Sequence, residues 1–393
     1  LSSLAWIDFD ETERQRAQRI MALFQERESR DELGLGAVRD SIADHLFPGT
    51  STIQTRLRYM LFVPWLLRMV EDRDDAPNQL MDEARSLEIR LSNALLSGGE
   101  TIGVIGRDAG PRLKRLPSSV YWAGLGTWGI RIFPSSIDSY FTSLRTFRRG
   151  RQRLRDGDEV SSDARITHIW HPALPARPKE LLETAKFRLT IDEAEFIIDR
   201  LVAQQPEALL TILARERIDA DCPYIWEHPN LADFPKAPRR LVEHGKLFSS
   251  VMHGASLTYN LQLSELRQRD DWIKYYKDQL AQWSSELDTS AIKTWSLDDF
   301  WSSVGHPAHA IKPTAKRFVT EWIALVRESA TGIPQSVPAR LLVKSRERNL
   351  KDKQSRFVNR AVRDRWGGAS GAERLSFRWQ QAKSHLQDLA NAG

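Results

Sequence analysis

The sequence predicts a mostly α protein, made of multi-helix bundles with a helix-turn-helix or winged-helix-like unit. Three observations carry that expectation. Apolar residues recur at helical spacing through most of the 393 residues. Strand signals are nearly absent, since "RITHIW" alternates alone and no Asn-Gly or Asp-Gly turn pairs with it. Between residues 83 and 150, short helical stretches alternate with tight glycine turns.

Taken in order, "DETERQRAQRIMALFQE" opens on acids that suit the positive end of a helix dipole. "DELGLGAVRDSIADHLF" spaces Leu35, Val38, Ile42 and Leu46 helically before Pro48-Gly49 stops it. In "FPGTSTIQTRLRYMLFVPW", Ser51 and Gln54 read as a capping box. Ile53, Leu57, Met60 and Leu61 then form the apolar face of a helix that Pro64 kinks or ends. The same small polar residues could hold one phosphate at a helix start, but the surrounding hundred residues carry net charge −6. A structural hinge is the better reading, with Arg56 paired to Asp40 or Asp44.

"PNQLMDEARSLEIRLSNALLSGG" has proline near its start and a double-glycine stop. "EAEFIIDRLVAQQ", "PEALLTILARE" and "RRLVEHGKLFSSVMHGASLTYNLQLSELRQ" continue the helical pattern. A helix with one wet basic side is expected through 340–365, ending at Gly367-Gly368. A last helix then begins on the capping pair Ser370 and Glu373. Prolines cluster and charge changes sign between 157 and 180. That suggests an N-terminal helical domain over 1–160 and a C-terminal helical domain over 161–393.

Composition narrows the function. With 41% hydrophobic and 28% charged residues this is a globular chain. It has no apolar run long enough to span a bilayer, and its first residues do not resemble a signal peptide. A cytoplasmic protein without a membrane partner is expected. A lone cysteine, Cys222, rules out a thiolate-rich zinc site within one chain. The net charge of +5 is unevenly placed: residues 101–155 carry +9 and residues 340–365 carry +7, on an otherwise acidic chain. Such islands point to a polyanionic partner, DNA before RNA, because local clustering sets the field.

In the first island, "PSSVYWAGLGTWGI" has the look of a recognition helix. Ser118, Ser119 and Tyr121 would meet base edges or phosphates, while Arg112, Lys114 and Arg115 hold the backbone. Arg145, Arg148, Arg149, Arg151, Arg153 and Arg155 would track an adjacent groove. No base-reading logic is evident in the second island.

Enzymatic signals are sparse. His168 with His171, and His306 with His309, are spaced three apart beside prolines, and zinc needs three or four convergent ligands. Neither a metal nor a cofactor is expected. Asp40 and Asp44 share a helical face and could hold Mg²⁺, though nearby arginines explain them equally. Walker A, G-x-G-x-x-G and G-x-S-x-G motifs do not occur. In "HGASLTYNL", His253, Ser256 and Asn260 lie along one helix face and read as a buried polar network.

"LAWIDFDE", "RDELGLGAVRDSIADHLFPGTSTIQTRLRYMLFVPW", "LPSSVYWAGLGTWGI", "HGASLTYNL" and "WGGASG…LSFRW" together resemble the signature blocks of an uncharacterised bacterial family, catalogued as a domain of unknown function. Members resemble cargo of phage-defence islands and mobile elements, beside helicases and phospholipase-D-like nucleases. The resemblance implies a non-enzymatic DNA-binding component of an anti-phage defence system. The alternatives are an adaptor subunit of a helicase or nuclease complex and a divergent Mg²⁺-dependent nuclease. It transfers no catalytic residues.

Overall fold

The computed structural model describes residues 31–156, 168–217 and 221–393, without the side chains of Pro111 and 151–156. Fifteen α-helices and no strand occur among them; Arg131 with Trp170 and His306 with His309 form only isolated bridges. The protein is all-α. The chain falls into two compact units, and each is discontinuous. Unit 1 combines residues 1–42 with 239–377; unit 2 combines 43–238 with 378–393. The sequence-expected boundary near 160 lies in residues 157–167, outside the described residues. The first expected helix, in 10–26, also lies outside them.

Helix α1 (Gly36–Leu46) contains the division between the units, at Ile42/Ala43. Its start is held by Asp31, whose carboxylate accepts from the amides of Leu35 at 2.6 Å and Gly36 at 2.8 Å.

Unit 2 is built around α2 (Tyr59–Glu71), in which eleven of thirteen residues are buried. A helix apolar on every side has to lie inside a bundle. The chain before it does not match the sequence expectation. The helix does not begin at Ser51, and Ile53 is 43% exposed rather than on a core face. Residues 51–57 make turns, because Gln54 donates back to the Gly49 carbonyl and Thr50 to that of Phe47. Pro64 neither ends the helix nor stops it short of Glu71.

Helix α3 (Pro77–Ser97) packs on α2. Its terminal Gly98 allows a close pass, since a Cβ there would stand 2.0 Å from the Ala185 carbonyl oxygen. Helices α4 (Pro117–Thr127) and α5 (Ile137–Asp156) pack on α2 and α3 respectively. Helix α6 (Ile191–Gln204) opens on the reciprocal cap of Thr190 and Glu193. It pairs with α7 (Leu209–Glu216).

Unit 1 is organised along α8 (Lys236–Leu266), 31 residues long. Around it lie α9 (Asp270–Glu286), α10 (Thr289–Thr294), α11 (Leu297–Ser303), α12 (Pro313–Ser329), α13 (Val337–Lys351) and α14 (Arg360–Asp364). The second basic island is not one helix. Helix α13 stops where Asp352 takes φ 44°, a 3-10 turn follows, and α14 is a separate short helix. Nor does the last helix start at Ser370: α15 (Trp379–Ala390) begins after Arg378, at φ 65°, and returns to unit 2 against α7.

Candidate nucleic-acid interface

The polar groups expected to meet a phosphate divide into two classes, those consumed internally and those left outside. Ser118 and Tyr121 belong to the first. Ser118 is 2% exposed, and both its amide and its hydroxyl donate to the Glu88 carboxylate on α3, each at 2.7 Å. Burial pushes the Glu88 carboxyl up to about 7, against the pull of the Ser118 donors. Tyr121 is fully buried; its hydroxyl accepts from the amides of Thr55 and Arg56 and donates to the Arg56 carbonyl at 2.8 Å. Helix α4 also buries Val120, Gly124 and Leu125. With that face in the core it presents no base-reading edge from Ser118 or Tyr121, and no strand pair of a wing occurs among the described residues.

Arg112, Lys114, Arg115 and Ser119 are exposed. The three cations lie on the connection between α3 and α4, where the Gly110–Arg112 turn packs against α3. On α5, Phe141 and Leu144 face the core, which leaves Arg145 and Arg149 outside. Arg148 is different: its side chain is 16% exposed and its guanidinium is paired at 2.9 Å with Asp74. Helix backbone continues through Arg151, Arg153 and Arg155, whose side chains lie outside the described residues. Arg131 is withdrawn from the surface field, with its guanidinium over the Trp122 ring at 4.5 Å.

Part of the second island is an internal fixture of unit 1, while Arg348, Lys353 and Arg365 are exposed. Arg346 donates to the Leu33 carbonyl at 2.8 Å, and Arg340 pairs with Glu265. Arg356 contacts Glu32 at 2.7 Å, the Tyr259 hydroxyl at 2.9 Å and Ser370 Oγ at 3.1 Å. Its amide also donates to Glu347. Beside this cluster Asn260 donates to the Ser256 and Ser370 carbonyls and accepts from the Trp366 indole. His253 bonds the Ala372 carbonyl at 2.9 Å, and burial pushes its ring down to about 4. The buried polar network expected in "HGASLTYNL" is therefore present, and wider than expected. It gathers three signature blocks through Glu32, Tyr259 with Asn260, and Ser370.

Asp40 and Asp44, the carboxylates that could hold Mg²⁺, have partners within the fold, as does the nearby Asp31. Asp31 caps α1, Asp40 meets Arg39 at 3.1 Å, and Asp44 pairs with Arg378. The expected pairing of Arg56 with Asp40 or Asp44 is not made. Arg56 instead binds Asp388 of α15 at 2.7 Å, and the same carboxylate accepts the Leu57 amide at 2.7 Å. The phosphate-like position at the approach to α2 thus holds an internal anion. Of the histidine pairs, His171 binds Arg200 at 2.7 Å, while His306 and His309 place their rings 5.1 Å apart.

These features define an all-α protein in which Arg112, Lys114, Arg115, Arg145 and Arg149 are exposed on one helical unit. The chain belongs to a family of unknown function (DUF6361), whose model matches residues 1–393. No curated protein and no solved structure matches it.

Proposed function

We propose that the protein is a non-enzymatic DNA-binding component of a bacterial anti-phage defence system. The proposed contact surface comprises Arg112, Lys114, Arg115 and Ser119 with the outer side of α5, through Arg145 and Arg149. One contrast supports this reading. Those five cations are exposed and have no ion pair among the described residues, whereas in the second island Arg340, Arg346 and Arg356 are bound to groups of unit 1 and Arg348, Lys353 and Arg365 are exposed. Unpaired surface cations are the groups that displace counterions from a nucleic-acid backbone. Ser118 and Tyr121 then support the surface from beneath instead of touching the ligand.

The test is fluorescence anisotropy with single- and double-stranded DNA over a salt series. Affinity should fall steeply with salt, and Arg145→Ala with Arg149→Ala should reduce the log–log slope by about 2. Salt-independent affinity, or an unaltered slope in the double variant, would count against the proposal. Phage plating with and without the gene tests the defence setting.

A second reading is favoured by a different surface. Val337 and Leu341 lie one turn apart on α13 and are 63% and 55% exposed. An exposed apolar pair suits an adaptor that docks a helicase or nuclease subunit. In that case Leu341→Asp would abolish copurification of the subunit and leave free protein indifferent to DNA.

A further inference from the structure

We propose, resting on the DNA-binding reading, that Glu88 of α3 is a positioning residue for that surface: it pins the connection that carries Arg112, Lys114 and Arg115. Glu88 is 2% exposed and accepts both donors of Ser118, at the start of α4. It does not act alone. Arg85 Nη2 donates to the Leu113 carbonyl at 2.7 Å, and Ser92 Oγ to the Ile105 carbonyl at 3.0 Å. Arg85, Glu88 and Ser92 stand at i, i+3 and i+7, so one face of α3 forms a rail along the connection.

Lys114 and Arg115 lie between two of these anchors, with Leu113 held on one side and Ser118 on the other. The Leu113 side chain is itself buried, and Arg112 precedes it in the Gly110–Arg112 turn that packs on α3. A polyanion therefore meets three cations on backbone that is already ordered, and binding does not bear the entropy of arranging it.

Glu88 also sets a charge beneath this surface. The ionisable groups facing it are Arg85 on its own helix and Tyr59 on α2, and Ser118 of α4 supplies its donors. Its raised value of about 7 makes the carboxyl neutral on passing from about pH 8 to about pH 6. The neutral form keeps one oxygen for the Ser118 amide and turns its O–H to Ser118 Oγ. The connection then stays pinned while one negative charge is lost.

Fluorescence anisotropy of the full chain with duplex DNA at about pH 8 and about pH 6 tests this. The parent should bind about threefold more tightly at the lower pH, and Glu88→Gln should lose most of that difference. Glu88→Ala separates position from charge. Loss of a negative charge alone would tighten binding, whereas loss of the pin should weaken it at least about fivefold at the higher pH. Glu88→Gln keeps both contacts, so the pH comparison stands even where Glu88→Ala does not fold. Affinity in Glu88→Ala equal to or above the parent's, or an undiminished pH response in Glu88→Gln, would overturn the proposal. A parent that binds duplex DNA at neither pH would overturn the DNA-binding reading as well.

Discussion

Glu88 holds the first turn of α4 through Ser118, with one carboxylate oxygen 2.7 Å from the amide nitrogen and the other 2.7 Å from Oγ. A helix start favours an anion, and here the anion comes from α3. Asp388 plays the same part before α2, where it accepts the Leu57 amide and binds Arg56. Both positions that could receive a phosphate are filled from within the fold.

Breaking the first contact should loosen α4. Ser118→Ala removes a buried hydroxyl donor and leaves one Glu88 oxygen without it, for a loss of about 1–3 kcal/mol. Urea denaturation measures this, and a change below about 0.5 kcal/mol would show the contact to be incidental.

The second contact should matter more. Asp388→Ala leaves Arg56 and the Leu57 amide without their acceptor, at a cost of about 3–5 kcal/mol. Asp388→Asn keeps an oxygen for the amide and should lose less. Equal losses in the two variants would mean that the amide contact contributes nothing.

Three buried groups contribute to the pH dependence of stability. His385 has both ring nitrogens buried without partners, and burial pushes its ring down to about 3. His253 is held down to about 4. Both are neutral in the folded state, so their contribution is complete above about pH 6.5 and is lost as pH falls toward 4 and 3. Glu88 acts oppositely. Its raised value of about 7 contributes stability that is fully present below about pH 4.3 and is lost as pH rises through 7. Between pH 6.5 and 4.5 two histidines outweigh one carboxyl, so these groups lower the melting temperature on acidification.

Replacing one of those histidines isolates its share. His385→Leu removes a buried polar ring of similar size, so stability at pH 7 should hold or rise. The dependence on pH below 6.5 should flatten by about 1.4 kcal/mol per unit. A variant that is less stable at pH 7 by more than about 1 kcal/mol would mean the ring nitrogens are satisfied after all.

Gly254 tests the packing of unit 1. A Cβ on this residue of α8 would lie 2.2 Å from the Trp283 ring of α9, whose indole donates to the Ser250 carbonyl. Gly254→Ala should cost about 1–3 kcal/mol through overpacking, despite alanine's better helix propensity. A stabilised variant would show that the ring can shift freely.

The helical elements were largely legible in the sequence because they follow from local patterning. The periodic runs in 193–205, 206–216 and 239–268 correspond to α6, α7 and α8. Capping was less legible. Thr190 with Glu193 forms a reciprocal cap, but Ser51 with Gln54 and Ser370 with Glu373 fit the same spacing and start no helix. In the second case Ser370 is buried against Glu32, a partner 338 positions away. No local pattern contains that information.

The same division applies to the candidate surface. The sequence by itself determined an all-α chain, two basic islands and a polar face in "HGASLTYNL", since composition and periodicity are properties of neighbours along the chain. Only the tertiary structure decided which cations are available. Arg346 and Arg356 carry the same side chain as Arg145 and Arg149, yet the former are buried against carbonyls and carboxylates while the latter remain outside. Tertiary structure likewise turned Ser118 and Tyr121 inward. The physical reason is that a charge acts through its distance to other charges and to water, and both are set by packing between segments remote in sequence.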